Sequence, residues 1–223
     1  MKKQFILIFA FVFIPLIYVF LRLFGEDVWE LKTYLQVPAE PQIETDCIPP
    51  SFPYTVAPRP WTLAGGETES FPNSQINLIM YLNETGWREQ MNQLNGIMES
   101  YEGKTELSTL VFAGASDSAQ AAIWRQRLES FAINLQGWSL CTGPAATIDF
   151  YYSCTLFKAY SDRKLKDAKP ETPANELLVM LDRENRIRGY FDTEERSEFD
   201  RLKDEIAILL KVYKQESDGS DGR

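Results

Sequence analysis

Apolar residues follow three different patterns along this chain. From Phe5 to Phe24 they run almost unbroken, interrupted by Pro15 and by Arg22 near the end. From Glu26 to about Pro60 no period is visible, and Pro38, Pro41, Pro49, Pro50, Pro53, Pro58 and Pro60 crowd together. Beyond that point short apolar runs alternate with segments of helical period, the signature of a layered α/β body.

Within the body, Ile76 to Leu82 and Leu107 to Ala113 are continuous apolar runs of strand length, as expected of strands covered on both faces. Trp87 to Tyr101 predicts a helix, with Trp87, Met91, Leu94 and Met98 along one face. A polar turn from Gly114 to Ser118 leads to a second helix, Ala119 to Phe131, with Ile123, Arg127 and Leu128 in register beside Trp124. Trp138 to Cys141 reads as a short strand, and Pro144 opens a third helix through Ile148, Tyr151, Tyr152 and Thr155. Glu176 to Asp182 is a further buried strand. A turn at Arg183-Glu184-Asn185 then leads to its antiparallel partner, Arg186 to Phe191. Glu195 to Tyr213 carries Phe199, Leu202, Ile206, Leu209 and Leu210 at amphipathic helical spacing, and a polar tail follows. Ahead of these elements, Phe52, Tyr54 and Val56 alternate as in an edge strand, and Ala64-Gly65-Gly66 suggests a hairpin loop.

The apolar run at the start has a different meaning. Twenty helical residues rise about 30 Å, the thickness of a bilayer's hydrocarbon core. Arg22 can reach the headgroups from the last turn. Lys2 and Lys3 precede the run, whereas Glu26, Asp27 and Glu30 follow it, so the larger part is expected on the far side of the membrane. Cleavage as a signal peptide is the rival reading, but Leu21-Arg22-Leu23-Phe24-Gly25 is a poor peptidase site. The expected layout is a transmembrane anchor over 1–25, a Pro-rich extracytoplasmic spacer over 26–60, a folded domain over 61–214 and a disordered tail over 215–223. That places a single-pass protein in the cytoplasmic membrane, N-terminus inside and body periplasmic.

Composition narrows the chemistry. The net charge of −9 argues against a nucleic-acid partner. The chain has no histidine, which removes imidazole bases, His-containing triads and His-ligated metals. The three cysteines, Cys47, Cys141 and Cys154, form no C-x-x-C or C-x-x-x-C pair. At most one internal bridge is available. A strand end and the far turn of the next helix are usually too distant for Cys141 to reach Cys154, so all three are candidate free thiols, with Cys47 expected to be the most exposed.

The order β-α-β-α-β-α-β-β-α, a parallel core finished by a hairpin and a packing helix, is the thioredoxin arrangement. Three segments sharpen this. Leu178 to Asp192 resembles the closing hairpin of the Sco/SenC family, with Asn185 at the family's turn glycine; Asn tolerates the left-handed conformation needed there. Ala115-Ser116-Asp117-Ser118 resembles the family's Val-Asp-Pro-x-x-Asp-Thr segment, and Trp138 to Gly143 its Trp-x-x-Leu-Thr-Gly strand end. The anchored, exported layout is also similar. The resemblance implies a thioredoxin-like domain with a central mixed sheet flanked by helices. In that family the copper and thiol chemistry serves cytochrome c oxidase assembly.

The departures matter as much. Glu84 and Arg88 fall where the resemblance places the two cysteines, and the ligand histidine would fall near Ala174. Neither a carboxylate nor a guanidinium can form a disulfide or offer sulfur to Cu(I). No cofactor is expected. What remains is a candidate partner surface at Asn83, Glu84, Thr85 and Arg88, set against plain helix capping with Thr85 as N-cap. The expected function is therefore a non-catalytic binding or assembly factor, attached to the membrane through residues 5–24, with a respiratory membrane complex as candidate partner. A divergent thiol oxidoreductase or peroxidase using Cys141 or Cys154 is the alternative.

Overall fold

The computed structural model describes residues 33, 34, 47, 53–73, 75–82, 84–130, 138–157 and 176–220. The expected anchor over 5–24, most of the spacer, Phe52, Asn83, Ala174 and residues 221–223 lie outside the described residues. Among the described residues, no helix is long and apolar enough to cross a membrane.

A short antiparallel hairpin comes first, β1 (Arg59–Thr62) and β2 (Thr68–Phe71), closed through Gly66 at φ 89°, as the Ala64-Gly65-Gly66 sequence anticipates. The main elements follow in chain order: β3 (Ile76–Tyr81), α1 (Trp87–Ser100), β4 (Leu107–Gly114), α2 (Ser118–Ser130) and β5 (Trp138–Gly143). They continue with α3 (Ala145–Cys154), β6 (Leu177–Leu181), β7 (Ile187–Asp192) and α4 (Arg196–Ser220). The sheet runs β5-β4-β3-β6-β7. Strands β3, β4 and β5 are parallel, whereas β6 is antiparallel to β3 and β7 to β6.

Both faces of the central strands are covered, which is why their sequences lack polar alternation. Ile76, Leu78 and Met80 pack with Met91, Leu94 and Ile97 of α1 and with Leu202 and Ile206 of α4. Ile79, Tyr81, Leu110 and Phe112 face the other way, against Ile148, Tyr151 and Tyr152 of α3. On α2 the inward residues are Trp124 and Leu128, while Ile123 is 47% exposed. The expected Ile123-Leu128 stripe is thus displaced by one residue, because the larger indole takes the buried position. Asn77 is buried in β3, with its amide donating to the carbonyls of Asn73 and Gln75 at 2.9 and 2.7 Å. That pairing makes its burial tolerable.

The β6–β7 turn forms around a buried carboxylate. Asp182 has no side-chain exposure and accepts from Arg186 Nε at 2.8 Å and Arg188 Nε at 2.7 Å. The backbone N–H groups of Glu184 and Arg186 donate to its other oxygen at 3.0 and 2.9 Å. Asn185 takes φ 60°, the left-handed conformation expected of it. Gly189 is required for packing, since a Cβ there would stand 2.6 Å from the Phe191 ring. Leu181 pairs with Asn77, so this turn lies beside the beginning of β3, at the end of the sheet opposite the β3–α1 loop.

Two expected boundaries are corrected. The body does not begin at Trp61: Tyr34, Tyr54 and Val56 are buried. Tyr34 N–H bonds to Ile187 O and Val56 N–H to Asn185 O, each at 2.9 Å, and Tyr54 donates to Thr155 O at 3.2 Å. Tyr34 meets Tyr190 edge-on at 5.0 Å, and Tyr54 meets Phe157 at 4.9 Å. Aromatic side chains in and before the Pro-rich stretch carry enough apolar area to fasten it to the sheet. The tail is also not disordered up to residue 220, because α4 continues to Ser220. Glu216 in that stretch pairs with Arg183, and Ser217 Oγ donates to Lys214 O at 2.8 Å.

Candidate functional site

The C-terminal ends of the parallel strands β3, β4 and β5 form a rim where open α/β sheets usually present their ligand-contacting loops. Leaving β3, Leu82 N–H still bonds Phe112 O at 2.8 Å. Glu84 and Thr85 then stand in solvent, and Gly86, not Thr85, is the N-cap, at φ −100° and ψ 1°, with no side-chain cap bond. The expected Thr85 cap is therefore corrected. The helix itself starts at Trp87, as its pattern predicts; Trp87 is buried and meets Trp124 edge-on at 6.2 Å. Trp124 is fixed in turn by its indole N–H on Gly114 O at 2.9 Å. Arg88 is exposed, with its guanidinium 4.8 Å from the Trp87 ring centroid. Glu84, Thr85 and Arg88 are thus all exposed where β3 passes into α1.

Beside it, α2 opens with a capping arrangement. Gln120 N–H donates to Asp117 Oδ1 at 2.9 Å, and Ser116 N–H donates to Gln120 Oε1 at 2.8 Å. This reciprocal pair satisfies two helix-end donors and accounts for the polar turn structurally. Pro144 is the N-cap of α3. Tyr81 lies beneath the rim with its hydroxyl against Gly114; a Cβ on that glycine would come within 3.1 Å of it. Burial pushes the Tyr81 phenol above its usual pKa, and the charges of Asp149 and Glu84 add to the rise. Negative charge from α3 and from the β3–α1 loop therefore acts on one phenol.

Sulfur is placed elsewhere. Cys141 is buried in β5, with Sγ 3.4 Å from Thr62 O, and burial raises its pKa to about 11. Such a thiol is protonated at neutral pH and is a poor nucleophile. Cys47 and Cys154 form a disulfide across Cα atoms 5.0 Å apart. The expectation of free thiols at Cys47 and Cys154 is corrected, as is that of an exposed thiol at Cys47. The docking of Tyr34, Tyr54 and Val56 brings the N-terminal stretch to the end of α3, where Cys154 is the last helical residue. Spacing alone does not disclose this pairing; burial of the spacer aromatics was the signal available. The disulfide lies at the far end of α3 from the rim.

Among the described residues no three His, Cys, Asp or Glu side chains come together as a metal site. Glu84 and Arg88 provide hard oxygen and a cation, a donor set that does not fit copper(I).

No family profile matches the sequence, and no curated protein is significantly similar to it. Solved structures do share its fold. A SCO1/SenC family lipoprotein from Bacillus anthracis str. Ames superposes with a TM-score of 0.55 at 10% identity, over 70% of this chain and 95% of that one. BsSco, described as a member of the Sco family of cytochrome c oxidase assembly proteins, gives 0.50 at 15% identity, over 73% of this chain and 98% of that one. The chain has a thioredoxin-like α/β fold, the fold of these Sco proteins.

Proposed function

We propose that this chain is a membrane-anchored, extracytoplasmic Sco-like protein that works as a binding or assembly factor without copper or dithiol chemistry. The observation that carries the reading is the rim: Glu84 and Arg88 occupy the corner where the Sco resemblance puts the cysteine pair. The one free thiol, Cys141, is buried in the neighbouring strand, and its orientation toward Thr62 O gives it a structural role. Function then rests on shape and charge at the rim, while the packed sheet keeps the fold. A respiratory membrane complex is the partner the resemblance suggests.

Two features support export. Lys2 and Lys3 precede the apolar run and acidic residues follow it. The Cys47–Cys154 bridge is a type of cross-link that persists in oxidising compartments.

Counting thiols in the full-length protein in detergent tests the chemical half of the reading. Without reductant, one thiol is expected, and only after unfolding; with reductant, three. The alternative, a thiol oxidoreductase, draws on Cys154 and its half-buried disulfide. It requires glutathione to reduce that bridge to a dithiol within minutes in the folded protein, giving glutathione disulfide, and the dithiol then to reduce a substrate disulfide as the bridge re-forms. Rapid exchange of that kind would replace the present reading.

A further inference from the structure

We infer that the outer edge of β5 at Trp138–Leu140 accepts an extended, basic segment of a partner protein as an added strand. The inference goes beyond the rim, which lies at the other end of β5. Successive residues of a strand direct their main-chain groups to opposite edges. On the β4 side, Ala115 N–H bonds Gly143 O at 2.7 Å; on the outer side, Ala64 N–H bonds Leu140 O at 2.8 Å. Leu140 and Trp138, two residues apart, therefore both face outward.

The β1–β2 hairpin covers this edge only in part. Leu63 bridges Cys141, and the chain then turns back, with Gly66 N–H bonded to Leu63 O. Among the described residues, Leu140 N–H and the N–H and C=O of Trp138 have no main-chain partner on that side. The opposite edge of the sheet is covered, since Tyr34 and Val56 bond to Ile187 and Asn185 there. Open edges are commonly blunted by lysine, proline or a bulge. The strand Trp138-Ser139-Leu140-Cys141-Thr142-Gly143 has neither residue, and its register with β4 is unbroken.

A groove of about 580 Å³ lies along the open edge. Its apolar lining includes Leu128 of α2 and Leu140, both buried, and half-buried Trp138. Glu67 of the hairpin and Arg125 and Glu129 of α2 also line it, all exposed. Among the described residues, none of these three charges is held in an ion pair.

These features select the occupant. Only another extended main chain supplies donors and acceptors at the spacing of the β5 edge. A lipid tail or small apolar molecule would leave those groups unpaired. Apolar side chains of the added strand would rest on Leu128 and Trp138. Two carboxylates against one guanidinium favour a segment carrying lysine or arginine. A second copy of this chain would bring net-acidic grooves together, like against like.

The test uses the full-length protein in detergent micelles and fluorescent peptides of alternating valine and threonine, with two lysines or two glutamates at each end. Saturable binding of the lysine peptide is expected, and little of the glutamate peptide. Glu67→Lys combined with Glu129→Lys, both at exposed positions, should weaken the lysine peptide by about tenfold or more. N-methylation of alternate amides tests the strand geometry itself. Methylating either all the valine or all the threonine amides should abolish binding in one series and spare it in the other, because only one set faces β5. The same affinity in both methylated series overturns the inference, as does equal binding of the lysine and glutamate peptides. Concentration-dependent self-association that the lysine peptide competes away would also overturn it, since the occupant would then be a second copy. Each outcome is independent of the thiol count that tests the reading of the rim.

Discussion

At the end of the sheet where β6 turns into β7, Asp182 is buried beneath Arg186 and Arg188, two tyrosines from the N-terminal stretch pack alongside, and a disulfide ties Cys47 to the end of α3. At the other end, where β3 passes into α1, Glu84, Thr85 and Arg88 stand in solvent and the helix begins with no side-chain cap bond. The first region is fixed by a charge network, a covalent link and aromatic packing. The second is held mainly by the backbone and by Trp87. The cross-link lies at the end opposite the rim, where it secures the fold.

Breaking the fastened end should have the largest effect. The disulfide closes a loop with a sequence separation of 107. Its removal in Cys47→Ser with Cys154→Ser should cost about 4 kcal/mol of unfolding free energy, read from denaturant unfolding of the full-length protein. Asp182→Ala leaves two guanidinium groups without their shared carboxylate and two N–H groups without an acceptor. A loss of about 3 kcal/mol is expected, with Asp182→Asn between the wild type and the alanine variant. Gly189→Ala forces a Cβ against the Phe191 ring and should cost about 2 kcal/mol, visible as a lower denaturation midpoint with the slope unchanged. At the rim, Glu84→Gln and Arg88→Ala should each shift stability by less than about 0.5 kcal/mol. Rim effects as large as those at the hairpin would erase the contrast.

A smaller effect sharpens the placement of sulfur. The Cys141 thiol titrates near 9.0 when unfolded and about 11 when folded, because burial disfavours the thiolate. The unfolded chain therefore loses its proton first. The stabilisation associated with this group is fully present below pH 9 and declines as pH rises toward 11. Cys141→Ala should flatten that part of the stability profile, measured as midpoint against pH.

Much of this architecture is legible in the sequence, because it depends on local pattern. The buried strands are continuous apolar runs, and the helices from Trp87, Pro144 and Glu195 are found within a residue or two of their expected starts. Asn185 discloses the left-handed turn by its own chemistry. What was not legible depends on distant partners. The Cys47–Cys154 link follows from where Tyr54 and Val56 dock, and periodicity carries no information about that. Competition among neighbours explains a smaller miss, since Trp124 takes the buried position beside Ile123, and the cap of α1 falls on Gly86 and not on Thr85. The exposure of Glu84 and Arg88 was legible because it depends on counting from a strand.

Copper(I) titration against a competing chelator, run in parallel on the native protein and on Glu84→Cys combined with Arg88→Cys, addresses the central claim most directly. The native protein should take up no stoichiometric copper, while the double variant should gain one equivalent, because two thiolates would then face each other at the start of α1. One equivalent bound tightly by the native chain would contradict the account.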